Sequence, residues 1–192
     1  MNHSLLQPEV RHMSMALRLA EQAAEEGEVP VGAVIVQDDL MIGRAYNQTQ
    51  TLKDPTAHAE MIAITQAASA LGDWRLLDTT LYVTKEPCPM CAGAIVLARI
   101  PRVVWAVDDP QRGGAISVFD ILQNDAMNHR PEISTGVLED PCRDLLLGFF
   151  RTRRATQAAR RGEGHTGAPA LPEQDPQGPG RDPDPEDPDP KG

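Results

Sequence analysis

The spacing of apolar residues predicts alternating helices and strands along most of the chain. Apolar side chains recur at helical spacing between Val10 and Ala24, and Gly27 ends that pattern. Two apolar runs, at residues 31–36 and 40–43, flank a polar turn, which indicates a two-stranded hairpin. The first part of the chain therefore predicts an amphipathic helix followed by a β-hairpin.

The pattern continues to alternate beyond the hairpin. Residues 47–54 are polar and indicate a loop, after which Thr56 is the expected N-cap of the next helix. The elements expected from there are a helix over residues 57–71 that ends at Gly72, a strand over 81–84, a helix from Pro89 to about Arg99, a strand over 102–107, a strand within 132–139 and a last helix beginning at Asp140. Strands that alternate with helices predict an α/β layer architecture.

Composition divides the chain into a folded domain and a tail. Hydrophobic residues make up 41% of the 192 residues, but Leu171 is the only large aliphatic residue beyond Gly162. Eight of the 17 prolines lie between Pro169 and Pro190, interleaved with acidic residues. Such a segment cannot bury enough surface to offset its ordering entropy. We expect a folded domain over residues 5–155 and a disordered tail over 156–192.

Charge limits the possible partners. The net charge is -10, of which the tail contributes -4 and the domain -6, so a broad nucleic-acid-binding surface is not expected. A local basic patch follows the pair Phe149-Phe150, at Arg151, Arg153 and Arg154. Basic residues are also common at helix ends for electrostatic reasons, so this patch has two interpretations.

The sequence predicts a cytoplasmic protein without membrane association. No stretch approaches the length of a membrane span, and the N-terminus has no signal-peptide pattern. Three cysteines do not form a disulfide framework, which favours a reducing compartment.

Three residues suggest a zinc site. Cys88 and Cys91 are spaced to lie on the first turn of one helix, and His58 falls at the start of another. Helix N-termini favour thiolates, and histidine with two cysteines suits zinc. Three protein ligands leave one tetrahedral position open, as in catalytic zinc sites. Glu60 is close enough along the chain to serve as a general acid and base there, promoting hydrolytic deamination by zinc-activated water.

A structural zinc site is the alternative interpretation of this pattern. It would need a fourth protein ligand, for which His12, His129 and Cys142 are the candidates. None of them has a motif spacing to the other three. A structural site also has no use for a proton-transferring glutamate, so Glu60 favours catalysis.

His-x-Glu followed by Pro-Cys-x-x-Cys is the known signature of zinc-dependent nucleobase deaminases. The longer segments at residues 28–33, 54–60 and 86–94 resemble the tRNA-specific adenosine deaminase family of the cytidine deaminase superfamily. The resemblance extends over about residues 8–154. It implies a cytidine-deaminase-like three-layer α/β/α sandwich around a mixed five-stranded sheet.

The resemblance also implies an activity and its partners. The enzyme would convert the wobble adenosine of a tRNA anticodon loop to inosine, as a homodimer with one zinc ion per subunit. The partner would be a tRNA anticodon stem-loop, with neither DNA nor membrane expected. A deaminase of free nucleobases or nucleosides, of the cytosine or guanine type, is the alternative enzyme, and a zinc-stabilised RNA-binding module is the alternative without turnover.

Site residues follow from the same resemblance. His58, Cys88 and Cys91 would hold zinc, and Glu60 would transfer the proton. The expected substrate-binding residues are Asn47, Asp109, Val29, Pro30, Phe149 and Arg151. Asn47 and Asp109 also suit simple turns, which is their alternative interpretation.

Lys85 departs from the family pattern. It stands just before Glu86-Pro87-Cys88, where the family usually has an apolar residue such as leucine. On an alternating strand Lys85 would share a face with Leu81 and Val83, and a buried lysine there would be costly. The side chain is expected to extend outwards unless the strand ends before it.

Overall fold

The computed structural model describes residues 6–163. The elements run in the order α1 (Leu6–Glu25), β1 (Gly32–Gln37), β2 (Leu40–Tyr46), α2 (Thr49–Leu52), α3 (Ala59–Leu71), β3 (Thr79–Lys85), α4 (Pro89–Ala98), β4 (Arg102–Val107), β5 (Glu132–Thr135) and α5 (Glu139–Glu163). The predicted alternation of helices and strands is confirmed.

The five strands form one mixed sheet in the order β2-β1-β3-β4-β5. β1 pairs antiparallel with both β2 and β3, whereas β3, β4 and β5 run parallel to one another. β1, β3 and β4 are almost continuously buried, as expected for strands covered on both faces. The predicted mixed five-stranded sheet is confirmed.

Helices cover both faces of the sheet. One core joins α3 and α4 to side chains such as Ile35, Val83 and Trp105. The other joins α1 and α5 to the opposite side chains, including Val34 and Val104. This is the expected three-layer α/β/α sandwich, and it leaves the ends of α3 and α4 together on one side of the sheet.

The close approach of a helix to the sheet depends on glycine. A Cβ atom added to Gly32 would lie 2.0 Å from the carbonyl oxygen of Ala16 on α1. On the other face, a Cβ at Gly43 would lie 2.5 Å from the carbonyl oxygen of Ala63 on α3. Both helices therefore pack directly against backbone at the hairpin.

Element ends differ from the prediction where side chains form local turns. The predicted N-cap at Thr56 is wrong, because Thr56 donates its N–H and hydroxyl to Asp54, each at 2.7 Å. The N-cap of α3 is His58 instead, and the helix ends at Gly72 as predicted. The predicted loop over residues 47–54 contains the short helix α2, and β5 stops at Thr135, just before Gly136 with φ 84°.

The predicted domain boundary at residue 155 falls inside α5, which continues to Glu163. Residues 151–159 are all exposed, so this part of the helix does not contribute to the core. Residues 164–192, most of the predicted tail, lie outside the described residues. None of the helices between residues 6 and 163 combines the length and apolar composition that crossing a bilayer requires.

Candidate active site

Two helix N-termini meet at the predicted metal ligands. His58 is the N-cap of α3 and Cys88 is the N-cap of α4, both with extended backbone. Pro89 occupies the first turn of α4, where the lack of an N–H costs nothing. The partial positive charge of both helix ends favours anionic ligands at this point.

The three ligand atoms form a triangle that fits zinc. His58 Nδ1 lies 3.5 Å from both Cys88 Sγ and Cys91 Sγ, and the two sulfurs are 3.6 Å apart. Bond lengths typical of zinc give tetrahedral edges of about 3.5 Å between nitrogen and sulfur and about 3.8 Å between sulfurs. His58, Cys88 and Cys91 therefore have the geometry of one face of a zinc tetrahedron.

The candidates for a fourth protein ligand lie elsewhere. Cys142 is buried in the α1–α5 core on the opposite face of the sheet. His12 stacks on Tyr82 at 5.1 Å and contacts Asp39. It too lies away from the triad formed by His58, Cys88 and Cys91. His129 Nε2 lies 2.7 Å from the carbonyl oxygen of Ile100. Within residues 6–163, these three side chains do not complete a structural zinc site.

The triad is also prepared electrostatically for a cation. The hydrogen bond with Cys91 lowers the pKa of the Cys88 thiol to about 4, and the His58 ring adds to this effect against opposing burial. The same sulfur–sulfur contact, together with burial, raises the pKa of Cys91. Because metal binding requires both thiolates, a bound ion would displace the Cys91 proton.

Glu60 lies on the second helical residue of α3 and is only 4% exposed. Burial raises the pKa of its carboxyl group, and the charge of nearby His58 opposes this effect. A raised pKa makes a carboxylate a better proton acceptor than an ordinary glutamate. Glu60 is therefore suited to proton transfer beside the metal ligands.

A cavity of about 560 Å³ opens above the triad. The cavity-lining residues are Val29, Val31, Asn47, Thr49, His58, Glu60, Lys85, Glu86, Cys88, Asp109, Gln111, Arg112, Phe150 and Arg154. This set brings together the predicted residues Val29, Asn47 and Asp109 with His58 and Glu60. The volume is in the range of small-ligand sites.

The structure places three predicted substrate-binding residues outside this lining. Pro30 is buried and Arg151 is exposed, and neither lines the cavity. Phe149 lines a separate groove beside α1 and is covered by the guanidinium of Arg153, 5.9 Å from the ring centroid. The aromatic and basic residues that α5 does contribute to the cavity are Phe150 and Arg154, because helical rotation turns Phe149 and Arg151 away from it.

A buried glutamate that the sequence did not single out fixes Asn47. Glu28 is fully buried, and its Oε2 accepts a hydrogen bond from Asn47 Nδ2 at 3.0 Å. Its Oε1 accepts the backbone N–H groups of Gln50 and Thr51, at 2.8 and 2.7 Å. Asn47 Nδ2 also lies 3.2 Å from Thr49 Oγ1, so Oδ1 is the acceptor that Asn47 offers to a ligand.

A second buried glutamate fixes the loop of Asp109. Glu86 is 2% exposed and accepts the backbone N–H groups of Asp109, Ile116 and Ser117 at 2.8–2.9 Å. Burial acts to raise the pKa of Glu86, but these bonds and the Ser117 hydroxyl outweigh burial and lower it. The motif containing Glu86 was recognised from sequence, but its partners are too distant along the chain to be predicted.

Gly114 joins that loop to the metal-binding helix. Its N–H donates to the carbonyl oxygen of Pro87 at 2.8 Å. A Cβ at Gly114 would lie 2.3 Å from the backbone nitrogen of Pro89 and 2.4 Å from the carbonyl carbon of Cys88. Only glycine allows the loop to contact the start of α4 so closely.

Lys85 is accommodated by an acidic partner. It is the last residue of β3, and its Nζ forms an ion pair with Asp109 Oδ2. Burial acts to raise the pKa of Asp109, but Lys85 and the backbone N–H groups of Gln111 and Arg112 outweigh it and lower the pKa. The ion pair with Asp109 therefore offsets the expected cost of burying a lysine. Lys85 lines the cavity and does not extend away from it.

A family model described as MafB19-like deaminase matches residues 8–154. The tRNA-specific adenosine deaminase of Bacillus subtilis (strain 168) is 47% identical over 150 residues, covering 78% of this chain and 93% of that protein. The chain belongs to the tRNA-specific adenosine deaminase family.

Solved structures agree with this family assignment. A structure from studies of A-to-I editing by tRNA:A34 deaminases at the wobble position is 42% identical with a TM-score of 0.69, covering 71% of this chain and 99% of that one. A guanine deaminase from Bacillus subtilis is 33% identical with a TM-score of 0.51, covering 70% and 85% of the two chains. The cytidine-deaminase-like fold expected of a tRNA-specific adenosine deaminase is thus confirmed.

Proposed function

We propose that this protein hydrolyses the wobble adenosine of a tRNA anticodon loop to inosine. The reaction consumes water, breaks the bond between C6 and its amino nitrogen, and releases ammonia. The observation that carries the proposal is the three-ligand triad with buried Glu60 at one cavity, in a chain of this family.

The triad would hold one zinc ion. A zinc ion bound by His58, Cys88 and Cys91 would act as a Lewis acid that makes water a stronger nucleophile at neutral pH. Glu60 would accept a proton from the attacking water and deliver it to the departing amine. Its burial excludes bulk water from this transfer, and its raised pKa favours the return of the proton.

The cavity suits a base that has left its stack. Val29 supplies an apolar wall, and Asn47 supplies an acceptor for an N–H or O–H group of the nucleotide. An anticodon loop offers unstacked bases at low cost, which favours a loop over a duplex substrate. Asp109 also lines the cavity and would contact the ribose.

The cavity rim favours RNA over a free nucleoside. Phe150 and Arg154 of α5 and Arg112 of the Asp109 loop line the opening, although the domain as a whole is acidic. Stacking on an aromatic ring and cations beside the backbone are the usual contacts to single-stranded RNA. A deaminase of free guanine or cytosine would have no use for this rim, so the tRNA substrate is preferred.

We further infer a cytoplasmic homodimer with one zinc ion per subunit. Large apolar side chains remain open to water on α4 and after β4, including Leu97 (71% exposed), Phe119 (55%) and Val118 (47%). The three free thiols suit a reducing compartment, where tRNA is also found. Light scattering should give twice the chain mass with one zinc per chain, and a monomer at micromolar concentration would contradict the dimer.

Inosine mapping tests the activity. The zinc-loaded protein is incubated with a tRNA that has adenosine at the wobble position, and with free adenosine and cytidine. Inosine should form at the wobble position, while the same tRNA with guanosine there should be unchanged. Turnover of the free nucleosides without inosine in the tRNA would overturn the proposal.

A further inference from the structure

We propose that Glu28 sets the hydrogen-bond polarity of the substrate cavity through Asn47. Glu28 holds the side-chain amide of Asn47 so that the amide oxygen, and not the nitrogen, faces the bound nucleotide. Glu28 does not line the cavity, so it is a positioning residue that acts on substrate selection through Asn47. The inference rests on the proposed function, because it requires a nucleotide in the cavity.

The orientation of the Asn47 amide decides what the cavity can recognise. The oxygen of an asparagine amide accepts hydrogen bonds and the nitrogen donates two, so a half-turn about the last side-chain bond exchanges acceptor and donor. Asn47 is 6% exposed and lines the cavity that contains His58 and Glu60. The end of the amide that faces the cavity therefore selects either a donor or an acceptor on the nucleotide.

The Asn47 nitrogen is used inside the protein. Nδ2 donates to Glu28 Oε2 at 3.0 Å and to Thr49 Oγ1 at 3.2 Å. The Thr49 hydroxyl in turn donates to Glu28 Oε2 at 3.3 Å. In the reversed orientation Asn47 Oδ1 would face Glu28 Oε2, and two buried acceptors would oppose each other. The Glu28 carboxylate therefore selects one orientation of the amide.

Glu28 is itself fixed as an acceptor. It is fully buried, and its Oε1 accepts the backbone N–H groups of Gln50 and Thr51 at 2.8 and 2.7 Å. Both N–H groups belong to the first turn of α2, whose N-cap residue Gln48 forms no side-chain cap bond. Because both oxygens of Glu28 face donors, the carboxylate cannot turn to suit a reversed Asn47.

The Asn47 oxygen is left for a ligand. The backbone N–H of Asn47 donates to the carbonyl oxygen of Val31 at 2.9 Å, which fixes the residue at the cavity. Within residues 6–163, the one buried side-chain nitrogen or oxygen without a partner is His12 Nδ1, so Asn47 Oδ1 remains accessible. A nucleotide with a donor at this point gains a hydrogen bond, whereas one with an acceptor there is disfavoured.

Exchanging the amide and the carboxylate tests this arrangement. Glu28→Gln keeps the shape of the side chain, but its one oxygen is needed by the two N–H groups of α2, so its nitrogen faces Asn47 and reverses the Asn47 amide. Asn47→Asp alone places two carboxylates against each other. The double variant Glu28→Gln/Asn47→Asp restores every hydrogen bond with donor and acceptor exchanged, and it again presents an acceptor to the cavity.

The zinc-loaded proteins are assayed on a stem-loop RNA with a wobble adenosine. Glu28→Gln should lower kcat/KM about tenfold, mainly through a higher KM, because the cavity then presents a donor in place of an acceptor. Asn47→Asp should lose at least as much. The double variant should return to within about threefold of the parent, whereas independent effects would multiply to about a hundredfold loss.

The matched control is Glu25→Gln, at an exposed position outside the cavity lining, which should behave like the parent. Zinc content and thermal melting verify that each variant is folded.

Nuclear magnetic resonance tests the amide without any RNA. In protein with isotope-labelled asparagine, the Asn47 side-chain signal is identified by its loss in Asn47→Asp. Its N–H hydrogens should exchange slowly with water in the parent, where they are bonded inside the protein. In Glu28→Gln they should exchange faster, because the reversed amide faces the cavity.

Other outcomes overturn the inference. A double variant no more active than the single variants would limit Glu28 to supporting α2, and equal amide exchange in the parent and Glu28→Gln would show that Glu28 does not orient Asn47. If Glu28→Gln does not fold, the double variant decides, because its hydrogen bonds are complete. A parent inactive on the RNA overturns the proposed function, whereas the amide exchange still decides whether Glu28 orients Asn47.

Discussion

The two halves of the cavity are built differently. In the metal half, defined by His58, Glu60, Cys88 and Cys91, each functional side chain belongs to a helix N-terminus. In the substrate half, defined by Asn47, Lys85 and Asp109, the two loop residues are fixed by buried glutamates. Lys85 lies at a strand end and is held by Asp109 itself.

The two halves therefore have different roles: the metal half carries out the reaction, and the substrate half determines its specificity. Helix ends provide fixed spacing and a favourable electrostatic field for a cation and a proton carrier. Away from Gly114, which contacts the start of α4, the loops held by Glu28 and Glu86 can change sequence without meeting the metal ligands. One metal half can therefore serve different bases, while the substrate half decides which one enters.

Replacing Glu60 should give the largest effect. Glu60→Ala should keep zinc but lower kcat by about a thousandfold or more, because proton transfer to the leaving amine is lost. Zinc analysis and inosine formation measure the two properties separately. Asp140→Ala, an exposed acid in the first turn of α5, is the control and should behave like the parent. Substantial turnover by zinc-loaded Glu60→Ala would mean that the metal half does not contain the proton carrier.

Replacing a buried glutamate tests the substrate half. Glu86→Gln should destabilise the fold by about 1–3 kcal/mol, because the amide nitrogen that replaces one oxygen cannot accept an N–H group. Either the Asp109 N–H or the Ile116 and Ser117 N–H groups then lose their acceptor. The KM for the anticodon loop should rise, while zinc content stays at one per chain. Urea unfolding and steady-state kinetics provide the measurements, with exposed Glu132→Gln as the control. Loss of zinc from Glu86→Gln would show that the halves are not separate.

Gly114 tests the contact between the halves. Gly114→Ala should destabilise the protein by about 1–3 kcal/mol and weaken zinc retention, because the new methyl group meets the backbone of Cys88 and Pro89. Gly148→Ala is the matched control, since a Cβ there meets no atom within 4 Å and α-helices favour alanine over glycine by about 1 kcal/mol. Equal unfolding free energies for the two variants would refute the close contact.

The end of α5 should give the smallest effects. Removing residues 164–192 should leave kcat/KM unchanged, since the sequence predicts a segment without a core. A shorter protein that also lacks residues 154–163 should bind the anticodon loop more weakly, because Arg154 lines the cavity. A large loss of kcat/KM on removing only residues 164–192 would mean that these residues take part in the reaction.

The sequence predicted the metal half more completely than the substrate half, for a physical reason. Cys88 and Cys91 are joined by one helical turn, so their spacing carries the geometry directly. Asn47 and Asp109 depend on Glu28 and Glu86, which are 19 and 23 residues away and carry no periodic signal. Phe150 and Arg154 replaced Phe149 and Arg151 at the cavity because the sequence did not determine the rotation of α5.

A competition assay tests the central claim most directly. Equal concentrations of an anticodon stem-loop with a wobble adenosine, free adenosine, free cytidine and free guanine are mixed with the zinc-loaded protein, and mass spectrometry follows every product. Inosine in the stem-loop should accumulate first and by a wide margin. Conversion of free guanine or a free nucleoside ahead of the stem-loop would contradict a tRNA-specific adenosine deaminase.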